Sequence, residues 1–175
     1  MRATKILCCL ILSTAALFAQ EPSQFTVGAF AFTRPGEWKW IVPSSPMRKA
    51  QLSVPGEAGS AEITFFHFGP GQGGSTDANI QRWLNQFSSP ADAAKPTPEV
   101  VEIDGRKITF IRTTGTFASG MPGGPATPLD GYALRGAILN DPASGDVYVK
   151  MTGPAKTVEA AEGAFDAMVK SAKRP

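Results

Sequence analysis

Cysteine is nearly missing from this sequence: Cys8 and Cys9 are the only two in 175 residues, and histidine occurs once, as His67. Both cysteines lie in the opening segment MRATKILCCLILSTAALFAQ, where Arg2 and Lys5 precede an apolar run from Ile6 to Phe18 and a small residue, Ala19. A basic start, a short apolar middle and a small-residue end form the pattern of a cleaved export signal. The run is too short to span a bilayer comfortably. Cleavage is expected after Ala19, with Gln20 the alternative cut, so that residues 1–19 are a signal peptide. Loss of both thiols excludes disulfides, a cysteine nucleophile, zinc ribbons and iron–sulfur ligation from the mature chain. Lipidation is not expected, because Cys8 and Cys9 stand near the start of the apolar run instead of just after it. Charge is scarce as well. Without Arg2 and Lys5 the 17 Lys+Arg fall to 15, equal to the 15 Asp+Glu. A neutral mature chain argues against nucleic acid as a partner and gives no pull toward anionic lipid. One histidine cannot supply the multi-histidine ligand set of a catalytic zinc, so no metal and no cofactor is expected.

Glycine and proline, by contrast, are abundant, with 18 and 15 residues, and they punctuate the chain instead of forming one low-complexity block. The aromatic, alternating segment from Phe25 to Thr33 ends at Pro35-Gly36. Met47 to Val54 reads as a strand closed by Pro55-Gly56, and Ala61 to Phe68 is the strongest strand pattern. There Ile63, Phe65 and His67 share one face and Thr64, Phe66 and Phe68 the other, which predicts a central strand covered on both sides. Ser75 is placed to cap a helix whose apolar residues are Ile80, Trp83, Leu84 and Phe87. Asp104-Gly105 between Glu99–Ile103 and Lys107–Thr114 is a strong hairpin signal. Tyr132–Leu139 and Asp146–Thr152 predict another hairpin, and a closing helix from near Pro154 presents Val158, Ala161, Phe165, Met168 and Val169 on one stripe. Prolines and glycines crowd Ser119 to Pro128, which predicts an irregular loop there. The expected class is α+β: one domain over residues 20–175, with a mainly antiparallel twisted sheet of about six strands flanked by two helices.

Several motifs invite a chemical reading. Gly69-Pro70-Gly71-Gln72-Gly73-Gly74 fits the G-x-G-x-x-G dinucleotide spacing, after a strand and before a helix. No second βαβ unit follows, and the next strand acids, Glu99 and Glu102, lie beyond the roughly 20-residue spacing of a ribose contact. Walker A spacing fails too, because Ser75 stands where the phosphate-binding lysine belongs. His67 is a core-edge imidazole or, in the rival reading, the base of a small hydrolase working with a nearby carboxylate. Arg112 and Arg135 lie inside apolar strands, where each must reach solvent, pair with a carboxylate or bind an anion. Met121, at the tip of the Gly/Pro loop, suits contact with a partner or folds back as a lid. His67, Arg112, Met121 and Arg135 are thus the candidate ligand- or partner-binding residues, and none is a candidate catalytic residue of a known motif.

Trp38-Lys39-Trp40, PSSPMRKAQL at Pro43 to Leu52, FFHFGPGQGG at Phe65 to Gly74, NIQRW at Asn79 to Trp83, GMPGGP at Gly120 to Pro125 and GYALRGAI at Gly131 to Ile138 resemble a family of uncharacterised exported bacterial proteins. More remotely, the order of elements is similar to the PsbP-like fold, an α/β/α sandwich shared by an extrinsic photosystem subunit and a Ran-GTPase-binding factor. The resemblance implies a non-enzymatic accessory module that acts through a protein partner or small ligand. It carries no catalytic or metal-binding residue onto this chain. The expected product is a monomeric periplasmic or secreted domain, without a stable membrane span once the leader is removed.

Overall fold

The computed structural model describes residues 21–43, 45–89, 93–120 and 127–175. Residues 1–20, with both cysteines, and Met121 lie outside the described residues. Ten strands and two helices follow in the order β1 (Gln24–Val27), β2 (Phe30–Thr33), β3 (Lys39–Trp40), β4 (Arg48–Val54), β5 (Ala61–His67), α1 (Thr76–Leu84), β6 (Phe87–Ser88), β7 (Glu99–Ile103), β8 (Arg106–Ser119), β9 (Thr127–Leu139), β10 (Val147–Pro154) and α2 (Ala155–Lys170). The main sheet runs β3-β4-β5-β10-β9-β8, and the short β6 and β7 both pair with the outer edge of the long β8. Every pairing is antiparallel. The sequence pattern predicts about six strands. Ten are present because two-residue pieces such as β3 and β6 leave no periodicity to read, and because Phe25–Thr33 is a hairpin. Gly28, at φ +57°, makes its turn and lets the chain reverse within one aromatic segment.

That hairpin and α2 cover one face of the sheet. Phe25 and Phe32 pack against Phe65 of β5 with ring centroids 5.0 and 5.2 Å away, so the hairpin is held by aromatic burial as well as by its own four-residue ladder. The apolar stripe of α2 (Val158, Ala161, Phe165, Met168 and Val169) joins the same core as the sequence pattern predicts. On the opposite face α1 lays Ile80 and Trp83 over Ile111, Leu134, Ile138 and Tyr148. Helix α1 has only nine residues, so this second layer is partial. Thr64 and Phe66 of β5 are covered there while Glu62 is exposed, which makes the two-sided cover expected for β5 complete on one face only. Among the described residues no helix is long and apolar enough to cross a membrane.

The region Ser119 to Pro128 is more regular at its ends than its composition suggests. Ser119 closes β8, Thr127 and Pro128 open β9, and Ser119 pairs with Thr127. A proline at the second residue of a strand costs little, because its missing N–H falls where the ladder is just beginning.

Glycine is required at position 136, inside β9. A Cβ on Gly136 would lie 2.5 Å from Trp83 Cζ3 and 3.0 Å from Ile111 Cγ2, so the bare backbone lets the indole lie flat on β9. Gly136→Val is therefore expected to lose about 1–3 kcal/mol by overpacking. Gly163, exposed in the middle of α2 with open space around its Cα, is the contrast: Gly163→Ala is expected to gain about 0.5–1 kcal/mol of helix stability. Urea denaturation of both variants checks the pair. Equal midpoints would show that Trp83 repacks freely.

Candidate functional site

Alternation along β9 sends Ala133, Arg135 and Ala137 toward α2, and Leu134 and Ile138 toward α1. Arg112 of β8 is the direct cross-strand partner of Arg135, so the two cations stand side by side under α2. Helix α2 answers with Glu159, Glu162 and Asp166, spaced i, i+3, i+7 on its sheet-facing flank. Arg135 grips Asp166 side-on: Nε donates to Oδ1 at 3.0 Å and Nη2 to Oδ2 at 2.7 Å. Glu162 lies 3.4 Å and Glu99 3.8 Å from the same guanidinium, which also stacks 4.8 Å over the Phe110 ring. Burial alone would weaken the Arg135 cation, but the Asp166 hydrogen bond and the surrounding carboxylates outweigh it and hold its pKa above the ordinary arginine value. Arg112 is more exposed and makes looser contacts, 3.6 Å to Glu162 and 3.9 Å to Glu159. The arginine pair thus clamps α2 to the sheet.

His67 is placed elsewhere. It ends β5, its Nδ1 lies 3.3 Å from the Asp146 carbonyl oxygen, and its ring is wedged under the hairpin turn, where a Cβ on Gly28 would come within 2.8 Å. Two strand spacings and four residues along the sheet separate it from Arg135, a distance of about 16 Å. The structure therefore brings Arg112 and Arg135 together and leaves His67 apart.

The larger concavity lies at the end of the sheet where three turns meet. In the first, Gly69, Gly71, Gly73 and Gly74 all take positive φ, between +68° and +88°, before Ser75 caps α1 by accepting from the Ala78 amide at 3.2 Å. Asn79 Nδ2 donates to the carbonyls of Gly73 and Ser75, and the Tyr148 hydroxyl donates to that of Gly74, so the loop is tied down from both sides. Burial first, and then the Asp146 charge, push the Tyr148 phenol above its ordinary pKa and keep it a donor. The second turn, between β9 and β10, touches the first backbone to backbone: a Cβ on Gly145 would lie 2.3 Å from the Gly69 carbonyl carbon. Asn140 Nδ2 links them by donating to Thr76 Oγ1 (3.2 Å) and Asp146 Oδ2 (2.9 Å). The third turn is Asp104-Gly105, at the tip of the β7–β8 hairpin.

Together they enclose an open cleft of about 680 Å³ whose polar lining includes Gln72, Thr76, Lys107, Asn140 and Asp146. Its rear wall is Asp141, which is 2% exposed. Burial would raise that carboxyl's pKa. Hydrogen bonds from the Ser144 hydroxyl and the Ser144 and Ala143 amides, together with Arg174 at 2.6 Å, reverse the sign and hold it below the ordinary aspartate value. Lys107, Asn140, Asp141 and Asp146 are residues that sequence reasoning passed over. Their only trace in the sequence is turn chemistry, Asp104-Gly105 and Asn140-Asp141-Pro142, which says that the chain reverses but not that two reversals share a cleft. Among the described residues there is no group of three or more His, Cys, Asp or Glu side chains placed to hold a metal ion.

The sheet with its two helical layers matches a solved structure. PsbP from the cyanobacterium Synechocystis, determined in solution, aligns over 84% of this chain and 87% of that one with a TM-score of 0.53, at 9% sequence identity. The fold is PsbP-like. A crystal structure of a protein of unknown function from Pseudomonas aeruginosa aligns over 87% of this chain and 96% of that one, with a TM-score of 0.47 and 15% identity. No family model and no curated protein matches the chain. At 9% identity the likeness carries the architecture alone, so a function for this PsbP-like domain has to be argued from its own side chains.

Proposed function

We propose that this chain is an exported accessory domain that binds, without converting, a small ligand rich in hydroxyl or amide groups at the three-turn cleft. The cleft itself carries the reading: about 680 Å³, within the size range of small-molecule sites, with donors and acceptors from Gln72, Thr76, Lys107 and Asn140 around turns already braced against one another. Bracing matters because a preorganised rim loses little entropy on binding. Binding without chemistry fits the disposition of the other candidates. Arg112 and Arg135 are engaged by the acids of α2, and His67 contacts a backbone carbonyl where a hydrolase base would need a carboxylate.

Export rests on the leader pattern of residues 1–19. Amide chemical-shift mapping of the purified protein against sugars, amino acids and short peptides tests the binding. The expected result is saturable shifts confined to residues 71–76, 105–107 and 140–146, reduced at least five-fold by Lys107→Ala. Shifts centred elsewhere, or turnover of any added compound, would count against it. Osmotic-shock fractionation with N-terminal sequencing tests export separately, with Gln20 expected as the first residue.

A further inference from the structure

We propose that Arg106, Lys173 and Arg174 form a carboxylate-binding site in a second cavity, which adjoins the cleft and shares Gly105, Asn140, Asp141 and Pro142 with its lining. This cavity measures about 370 Å³ and is bounded by Phe30, Asp104, Arg106, Asn140, Lys173 and Arg174. It exists because the C-terminal segment is pinned to β2: Ala31 N donates to the Lys173 carbonyl at 2.8 Å, and Lys173 N donates back to Ala31 at 3.2 Å. The bridge holds Lys173 and Arg174 opposite the first residue of β8, which is Arg106. The guanidinium carbons of Arg106 and Arg174 lie 5.1 and 5.9 Å from the centroid of the same Phe30 ring, so one aromatic ring gathers both cations.

The decisive feature is the Nε–Nη2 edge of Arg106. Arg135 uses that same edge to hold Asp166 with two bonds of 3.0 and 2.7 Å. In Arg106 the buried Nε has no partner among the described residues, and Nη2 makes a single long contact, 3.4 Å, to the Lys170 carbonyl. An unsatisfied buried guanidinium donor is costly, and a carboxylate seated on the fork relieves that cost as it binds. Nε is closed to solvent as the side chain stands, so a carboxylate engages the fork by turning the Arg106 Nε–Nη2 edge toward the cavity that the side chain borders.

Charge fixes the class of ligand. Arg174 is already paired with Asp141 at 2.6 Å, which leaves Arg106 and Lys173 facing Asp104, one positive charge in excess. A carboxylate neutralises that excess, whereas a phosphate dianion overshoots it. Burial, and secondarily the Arg174 charge, lower the Arg106 pKa against a partial opposing pull from Asp104, as suits a cation short of one counter-charge. Asp141 itself is bonded from three directions, and its charge is offset by the Arg174 pair.

Arginine Nε–Hε spectra of the whole protein, titrated with sodium acetate and, separately, with sodium phosphate and sodium chloride at matched ionic strength, test the site. Acetate is expected to shift the Arg106 and Arg174 signals saturably, with half-saturation at roughly 1–10 mM for so small a probe. Phosphate and chloride are expected to act at least five-fold more weakly. With Arg174 as reporter, Arg106→Lys keeps the charge but loses the fork, and is expected to weaken acetate binding at least ten-fold. The exposed Lys173→Gln is expected to weaken it several-fold with the fold unchanged. A linear response equal to that of chloride, a preference for phosphate, or undiminished binding by both variants would overturn the proposal. Acetate shifts at residues 71–76 with none at Arg106 would also overturn it, while leaving the cleft reading intact.

Discussion

Arg135→Ala is expected to cost about 3–5 kcal/mol of folding free energy at neutral pH, enough to consume much of the stability of a domain this size. The alanine removes the side-on partner of Asp166, leaving it only Lys170 at 3.7 Å, and it leaves Glu162 and Glu99 without their nearest cation in a half-buried seam. It also removes the guanidinium that fills the space above Phe110. Arg135→Lys is expected to recover little of the loss, since an ammonium cannot reproduce the two-bond grip on Asp166. The double change Arg135→Met with Asp166→Leu is expected to be milder than Arg135→Ala, because it removes both charges and leaves neither buried alone. Urea denaturation of the three variants decides the matter. A loss below about 1 kcal/mol for Arg135→Ala would mean that the clamp between sheet and α2 is ornamental.

Lys150 is expected to behave in the opposite way, as a part-buried cation, largely shielded from water, whose removal helps. It lies on the α1 face of β10, hydrogen-bonded to Gln86 Oε1 and 5.3 Å from the Phe117 ring centroid. No carboxylate among the described residues lies within ion-pair distance of it. The nearest acid to influence it, Glu62, is already held by Arg48 at 3.2 Å and Gln51 at 2.6 Å. Burial therefore dominates, and it lowers the ammonium from 10.5 to about 8, with the Arg48 charge adding to the shift and Glu62 opposing it. A basic group whose pKa falls on folding binds its proton more readily in the unfolded chain. Between about pH 8 and 10.5 the unfolded state then carries a proton that the folded state has released, so stability rises with pH across that window.

Below pH 8 both states are protonated, and the folded state bears the full cost of a buried ammonium. That cost is about 3 kcal/mol for a shift of this size. Lys150→Met is expected to raise stability at pH 7 by about 1–2 kcal/mol after loss of the Gln86 hydrogen bond, and to flatten the alkaline rise. Thermal or urea unfolding at pH 7, 8, 9 and 10 reads both effects. A destabilised Lys150→Met, or a wild-type curve that falls between pH 8 and 10, would show that the ammonium is better solvated than its surroundings imply.

The two side chains also mark where sequence reading stops. Arg135 is visibly anomalous in GYALRGAI, and pairing with a carboxylate is one of the outcomes its position allows. Its chief partner, Asp166, is 31 residues away on a helix whose apolar stripe is legible but whose acidic flank looks like ordinary solvated surface. Lys150 and Gln86 are 64 residues apart and carry no mutual signal at all. Arg106, Lys173 and Arg174 are less visible still: one follows a turn, two sit near the chain's end, and only the β2 bridge makes them neighbours.

What the sequence determined by itself was everything set within one turn or one period. Ser75 starts α1, Asp104-Gly105 reverses β7 into β8, and the stripe from Val158 to Val169 gives α2 its buried face. These features are fixed by steric preference, hydrogen bonding and apolar spacing over a few neighbouring residues, so they survive in the linear text. Tertiary structure alone decided which charges met, that two turns touch at Gly145 and Gly69 to shape a cleft, and that one arginine fork was filled while its counterpart kept an unpartnered Nε. Those outcomes depend on strand register and on which element lies across each face, quantities that periodicity along a single segment does not encode.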